Sequence, residues 1–291
     1  MMKFDYVSAR GDILPLVNNP LFHIKNIQGI TTATSSLSSV VIGGIDGDDI
    51  NNVQAQPRPI IIDLEIKSGV NVEEAKRAIL KVVKLKQNAS LIWEQNNKTL
   101  MIEGIVEIVD MPRFTDSVVM QISLHCEQPF WEDIDYIVQQ IDEAINLHYF
   151  TSVEGDMLYF PQEGLPFGEY DVSRTREIHN SGDVAVGVEI EIIAYKTVTN
   201  PIIYDTNNNF FGVGYGEGIK KVVMQQGDII RITTHKGHKT VTMNGTSILG
   251  RVKPQSTWLQ LQSGDNIFSI NSDDGEIDNM TFSLVYKQRF I

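Results

Sequence analysis

Glu189 and Glu191 stand two apart in VEIEI, and Asp63 and Glu65 do the same in IDLEI. On a strand this spacing projects both carboxylates from one face, roughly 7 Å apart, a separation that paired acid/base chemistry uses. The same alternation describes the wet face of a half-buried strand, and that is the preferred reading of both pairs. His125 and Cys126 are neighbours, so on a strand they point to opposite faces and form no thiolate–imidazole pair; Cys126 reads as a small core residue. His235 and His238 flank a turn without a third ligand nearby, so the turn reads as a hairpin tip rather than a metal site. Three acidic loops, Asp46–Asp49, Asp205–Asn209 and Asp273–Asp278, lack the ligand spacing and the closing bidentate Glu of a calcium loop. In Gly212–Gly218 the GxGxxG pattern fails at Glu217 and at Ile219, and no helix signal follows to bind a phosphate. No G-x-S-x-G elbow or H-E-x-x-H motif occurs either. The chain therefore offers no catalytic, cofactor-binding or metal-binding set, and the expectation is a protein that is not an enzyme and needs no cofactor.

The elements that carry these residues belong to a chain of 291 residues, comfortable for two domains. Its 24 Lys and Arg stand against 37 Asp and Glu, a net charge of −13, and the excess is local. Between Arg113 and Arg174 there are twelve acids and no Lys or Arg, while the rest of the chain is close to neutral. No basic block suited to wrapping nucleic acid appears. No run of 18 apolar residues is present, the start MMKFDYVSARGDILP lacks a signal-peptide apolar region, and a single cysteine forms no internal disulfide.

Strand patterns dominate. Ile60–Lys67, Leu91–Glu94, Thr99–Asp110 and Val118–Cys126 read as strands, with Gln95–Lys98 as a hairpin turn. One helix is expected from NVEEAKRAILKVVK, where Val72, Ala75, Ile79 and Val82 or Val83 share a face and Asn71 caps the start. A second, acidic linker helix is expected over about 132–147, where Ile134, Ile137, Val138, Ile141 and Ile145 keep helical spacing. Beyond a Gly- and Pro-rich passage at Thr151–Asp171, short strands return: Val186–Tyr195, Gly227–Thr234, Lys239–Met243, Thr257–Gln262, Asn266–Ile270 and Asn279–Lys287, with Asn244-Gly245 as a tight turn. The fold class is thus mainly β, an N-terminal β-rich domain (1–129) followed by a C-terminal β-sandwich (130–291). Gly29–Pro59 is a long Thr-, Ser-, Gly- and Asp-rich segment, longer than loops inside compact domains usually are, which points to contact with a partner.

Taken in order, LFHIKNIQGITTATSS, GGIDGDDI, PRPIIIDLEI, NVEEAKRAI, IEGIVEIV and VVMQISLHCEQPFWED, then HNSGDVAVGVEIEI, NPIIYDTNNNFF, QQGDIIRITTHKGHKTVTMNGT and WLQLQSGDNIFSI, resemble the distal tail protein family of long-tailed bacteriophages over nearly the full length. The acidic stretch 132–147 and the aromatic passage after it are the departures. The resemblance implies a first domain closing into a hexameric ring, with the segment at about 29–59 as an arm or belt to a neighbour, and a galectin-like second domain outside the ring. It implies a structural protein of the virion at the distal end of the tail tube, made in the host cytoplasm. Its partners would be its own copies, the tail tube protein, the tail tip protein and receptor-binding proteins, with neither a membrane nor sequence-specific nucleic acid among them.

On that reading Ile42, Asp46, Asp48, Ile50 and Arg58 are candidates for the subunit or partner interface. Asp116, Glu132, Asp133 and Asp135 are candidates to face the channel, where negative charge keeps passing DNA from sticking. The alternative function is a carbohydrate-binding module contacting the host wall through Tyr215 and Trp258. Alternation in WLQLQ sets Trp258 with Gln260 and Gln262, on the face opposite Leu259 and Leu261.

Overall fold

The computed structural model describes residues 3–31, 33–41, 43–44, 46–95, 98–111, 118–140, 144–145, 169–170, 175–275 and 277–291. The chain divides into two compact units, Met1–Asp135 together with Lys287–Ile291, and Tyr136–Tyr286.

The first unit is built from strands β1 (Lys3–Ser8), β2 (Ile13–Pro15), β3 (Phe22–Gln28), β4 (Ser35–Val40), β5 (Asp49–Ala55), β6 (Arg58–Ile66), β7 (Asn88–Gln95), β8 (Lys98–Asp110), β9 (Val119–Cys126) and β10 (Trp131–Asp133), with helix α1 (Val72–Val82) between β6 and β7. Its main sheet runs in the order β2-β1-β7-β8-β9-β6-β3. Strand β6 shows why: Ile60, Ile62, Leu64 and Ile66 are buried while Ile61, Asp63 and Glu65 alternate outward. Each buried Ile or Leu contributes about 1.5–3 kcal/mol relative to exposure. The helix covers the inner face with Ala75 and Ile79, followed by Val83. Asn71 caps it, its side-chain oxygen accepting from the Glu73 and Glu74 N–H groups at 3.0 and 3.4 Å, and Glu73 and Glu74 complement the positive end of the dipole. The hairpin expected at 95–98 forms, with Gln95 opposite Lys98.

Among the described residues of 132–147, where the acidic helix is expected, no helix forms: strands occupy Trp131–Asp133 (β10), Ile137–Gln140 and Ala144–Ile145, with residues 134–136 irregular between the first two. The spacing of Ile134, Ile137 and Val138 suits a helix, but β-branched residues also suit a strand, and here partners decide the matter. Met101 of β8 stands opposite Glu132, and Tyr286 and Val285 stand opposite Ile137 and Val138. Pairing also moves the boundary: β10 lies past the expected junction at 129/130, yet it joins β8 and Arg289–Phe290, so both belong to the first unit.

The second unit contains a six-stranded and a four-stranded antiparallel sheet. The six-stranded sheet runs in the spatial order Ile137–Gln140, Met280–Tyr286, Glu189–Ala194, Ile229–Thr233, Thr240–Met243, Thr246–Ser247, and the four-stranded one Thr175–Asn180, Gly264–Asn271, Ile202–Tyr204, Phe210–Gly212. One core holds side chains from both, among them Ile190, Ile232, Phe282 and Leu284 from the first and Ile178, Ile203, Phe211 and Phe268 from the second. Asn244 and Gly245 turn with φ of 51° and 80°, the left-handed pair that a two-residue hairpin requires.

Candidate functional site

In the segment expected as a loop at 29–59 the chain forms a β-hairpin. Strands β4 and β5 pair only with each other, and every residue of both is exposed. The ladder sets Leu37 opposite Val53 and Ser38 opposite Asn52, then shifts so that Ser39 faces Ile50, leaving Asn51 as the extra residue of a bulge. Ser39 shares the parity of Leu37, so the bulge carries Ile50 onto the Leu37–Val53 face. One side of the ribbon is therefore apolar, with Leu37, Ile50 and Val53 at 63%, 57% and 58% exposure. Ser36, Ser38, Asn52 and Gln54 occupy the other side. Asp46, Asp48 and Asp49 crowd the far end, all exposed.

The root of this arm is tightly held. Gly29 has φ of +81°, and a Cβ built there would lie 2.0 Å from the Pro59 carbonyl oxygen, so only glycine fits. The Gln56 N–H donates to the Thr34 carbonyl and its side-chain amide to the Ser36 hydroxyl, at 2.8 and 2.6 Å. The Ile30 carbonyl accepts twice, from Arg58 Nη1 at 3.2 Å and from Trp131 Nε1 at 3.0 Å. Trp131 stands edge-on to Trp93 with ring centres 5.7 Å apart.

Of the interface candidates, Asp46, Asp48 and Ile50 lie together on the arm, and Ile42 falls outside the described residues. Arg58 does not join them on the surface. It is 2% exposed, opposite buried Cys126 in the β6–β9 ladder, and it pins the arm's root from inside. Its Nε and Nη2 have no hydrogen-bond partner among the described residues, and burial pulls the guanidinium pKa down, with a smaller opposing effect from Cys126. Nothing in an isolated Arg within PRPIII signals a buried position. In the ladder Arg58 stands opposite Cys126, and a Cβ at Gly104 would meet Cys126 Sγ at 2.8 Å.

Asp116 lies outside the described residues. Glu132 is ion-paired with Arg289 at 2.5 Å, and the Asp133 side chain accepts from the Asp135 N–H at 3.2 Å. Trp258 packs on Phe211 with ring centres 4.8 Å apart, and the Lys239 ammonium lies 5.3 Å over the indole, while the Tyr215 N–H donates to the Lys220 carbonyl. Among the described residues no hydrogen bond or ring contact joins Tyr215 to Trp258.

The carboxylates that invited chemical readings serve their own strands and turns. Glu191 pairs with Arg231 at 2.6 Å, and Glu65 with Lys25 and His23, which hold its pKa below the usual carboxylate range, Lys25 foremost. Asp205 accepts from the Asn207 and Asn209 N–H groups, and Asp273 and Asp274 from Asn200 and Thr199. Among the described residues no group of three or more His, Cys, Asp or Glu is placed to hold a metal ion. A concavity of about 550 Å³ in the first unit is lined by the exposed Glu103, Ile105, His125 and Glu127 together with Glu132, which is ion-paired with Arg289.

The described residues thus form a mainly β chain of two units with an exposed amphipathic hairpin in the first. Residues 181–290 match the family model described as the siphovirus-type tail component, C-terminal domain. The solved structure of SPP1 Dit, described as a paradigm of the hub adsorption apparatus in phages infecting Gram-positive bacteria, superposes with a TM-score of 0.65 over 99% of each chain at 13% identity. The fold of this chain is therefore Dit-like over nearly its whole length. A chain of the phage P2 baseplate in its activated conformation with calcium aligns over 100% of both chains at 12% identity with a TM-score of 0.43. No curated protein sequence matches the chain.

Proposed function

We propose that this protein is a structural ring component at the distal end of a phage tail tube. Six copies close head to tail through the first unit and join the tube to the tip, and the second unit organises host-attachment proteins around the ring in the virion. The observation that carries this reading is the arm. A two-stranded hairpin with both faces in water is marginal by itself, and this one exposes Leu37, Ile50 and Val53 on a single face. Covering those three side chains contributes about 1–2 kcal/mol each, enough to favour a neighbour's surface over water. A closed ring needs two different patches on each copy, and a projecting arm supplies one of them. Within the ring Asp133 and Asp135 face the channel, and Glu132, neutralised by Arg289, adds less to the field there.

Solution mass tests this directly. The intact chain assembles to six copies at micromolar concentration, and a variant lacking residues 31–57 stays monomeric. A strictly monomeric intact chain, unable to associate at high concentration, defeats the reading.

A further inference from the structure

Two surfaces of the first unit match each other in charge and in polarity, and both are exposed among the described residues. From residue 26 to residue 57 there is no Lys or Arg, while Asp46, Asp48 and Asp49 cluster at the far end of the arm. Beside them Val40 and Val41 are 52% and 77% exposed. The second surface is the corner where α1 runs into β7. After Glu74 no acid occurs until Glu94, and Lys76, Arg77, Lys81, Lys84 and Lys86 fall within eleven residues. Ala75 and Ile79 face the core, so helical periodicity turns Arg77 and Lys81 to the opposite, solvent side, where both are exposed. Like charges at this spacing repel and do nothing for the helix itself.

The turn that follows is held in shape. Lys84 Nζ donates to the Leu80 carbonyl at the helix end, and Lys86 adopts the left-handed φ of 62° with its N–H on the Val106 carbonyl at 2.8 Å. A lysine in that conformation is uncommon and needs such support. Leu85, 51% exposed, lies in sequence between Lys84 and Lys86 in this turn. None of the ion pairs among the described residues involves these five cations.

We propose that the arm end of one subunit seats on the α1 corner of a second copy, Asp46, Asp48 and Asp49 meeting Lys81, Lys84 and Lys86 while Val40 and Val41 cover Leu85. The proposal rests on the ring reading above and names its seam. Six to seven residues of extended hairpin reach roughly 20 Å beyond the root, far enough to leave the parent subunit. Both patches are exposed in the single chain, so the arm does not satisfy its own corner. Two distinct complementary patches give a head-to-tail contact, the kind that closes into a ring.

The test uses full-length chains and sedimentation velocity. Lys81→Glu/Lys84→Glu/Lys86→Glu reverses the corner, and Asp46→Lys/Asp48→Lys/Asp49→Lys reverses the arm end. Each variant alone is expected to associate more weakly by about tenfold or more, since like charges then face each other across the seam. Their equimolar mixture, and a chain carrying all six changes, regain the wild-type assembly, which also shows that both variants fold. Raising the salt from about 0.05 to 0.5 M weakens the wild-type assembly by screening. If both reversed variants assemble as well as wild type while deletion of 31–57 still yields monomers, the corner is not the landing site and the ring reading survives. The proposal also falls if the mixture does not recover. A wild-type chain that never associates removes both.

Discussion

Replacing Gly29 by alanine isolates the contact that fixes the arm's root. Gly29 and Gly11 share almost the same backbone conformation, φ of +81° and +83°, but nothing lies within 4 Å of a Cβ at Gly11, whereas one at Gly29 lies 2.0 Å from Pro59 O and 3.1 Å from Pro59 C. Gly11→Ala therefore reports the left-handed penalty alone, roughly 1–2 kcal/mol. Gly29→Ala adds an overlap that is relieved only by moving β3 and β6 apart by about 1 Å, beside their Gln28–Ile61 pair. Overpacking of this sort costs a further 2–3 kcal/mol or so, bringing the total to about 3–5 kcal/mol. Urea unfolding of the first unit, followed through the fluorescence of Trp93 and Trp131, measures both variants on one scale. Because Ile30 follows directly, hydrogen exchange at Ser35–Ala55 should also quicken in Gly29→Ala and not in Gly11→Ala. Two variants within about 0.5 kcal/mol of each other, with equal exchange, would refute the claim that Pro59 locks the root.

Three further outcomes are expected. Leu37→Ser/Ile50→Ser/Val53→Ser leaves the unfolding midpoint of the first unit within about 0.5 kcal/mol of wild type, because all three are exposed, yet weakens self-association in sedimentation; a large loss of stability would mean the arm packs on its own subunit. Burial pushes the Cys126 thiol up to about 11, only partly offset by Arg58, so a thiol reagent at pH 8 should label nothing in the native protein and one group per chain in denaturant, and rapid native labelling would contradict that burial. Asp228 is held below its ordinary pKa first by the Gln225 N–H at 2.6 Å and then by the Asn244 side chain at 2.8 Å. A depressed folded pKa stabilises above the unfolded value, about 3.9, and the contribution is lost as pH falls through the folded value. The stability gap between wild type and Asp228→Asn in the second unit should hold steady from about pH 7 to 5 and close below about pH 4; a gap that stays flat down to about pH 2 would contradict the assignment.

Much of the fold was legible where burial alternates cleanly. Ile60–Ile66 and Met280–Tyr286 carry period-two patterns that allow one register, and Asn71 with Glu74 marked the helix start. The stretch 132–147 misled because Ile and Val serve either state, and its strands are settled by partners up to about 150 residues away in sequence, Tyr286 among them. The arm looked like a loop because its strands bury nothing: with Ser at four of the six β4 positions, no hydrophobic period survives, and pairing with β5 alone makes it a hairpin. Asp46, Asp48 and Ile50 could be picked from composition and family likeness. The apolar face could not, since it depends on the bulge at Asn51 that moves Ile50 beside Leu37 and Val53. Arg58 is a charged residue whose burial, opposite Cys126, no local sequence pattern signals.

End-on electron microscopy of the purified full-length protein bears most directly on the central claim that the first unit closes into a ring through its arm. Six-fold rings with a central channel are expected for the intact chain and none once residues 31–57 are removed. Rings that persist without the arm, or an intact chain seen only as single particles, would contradict it.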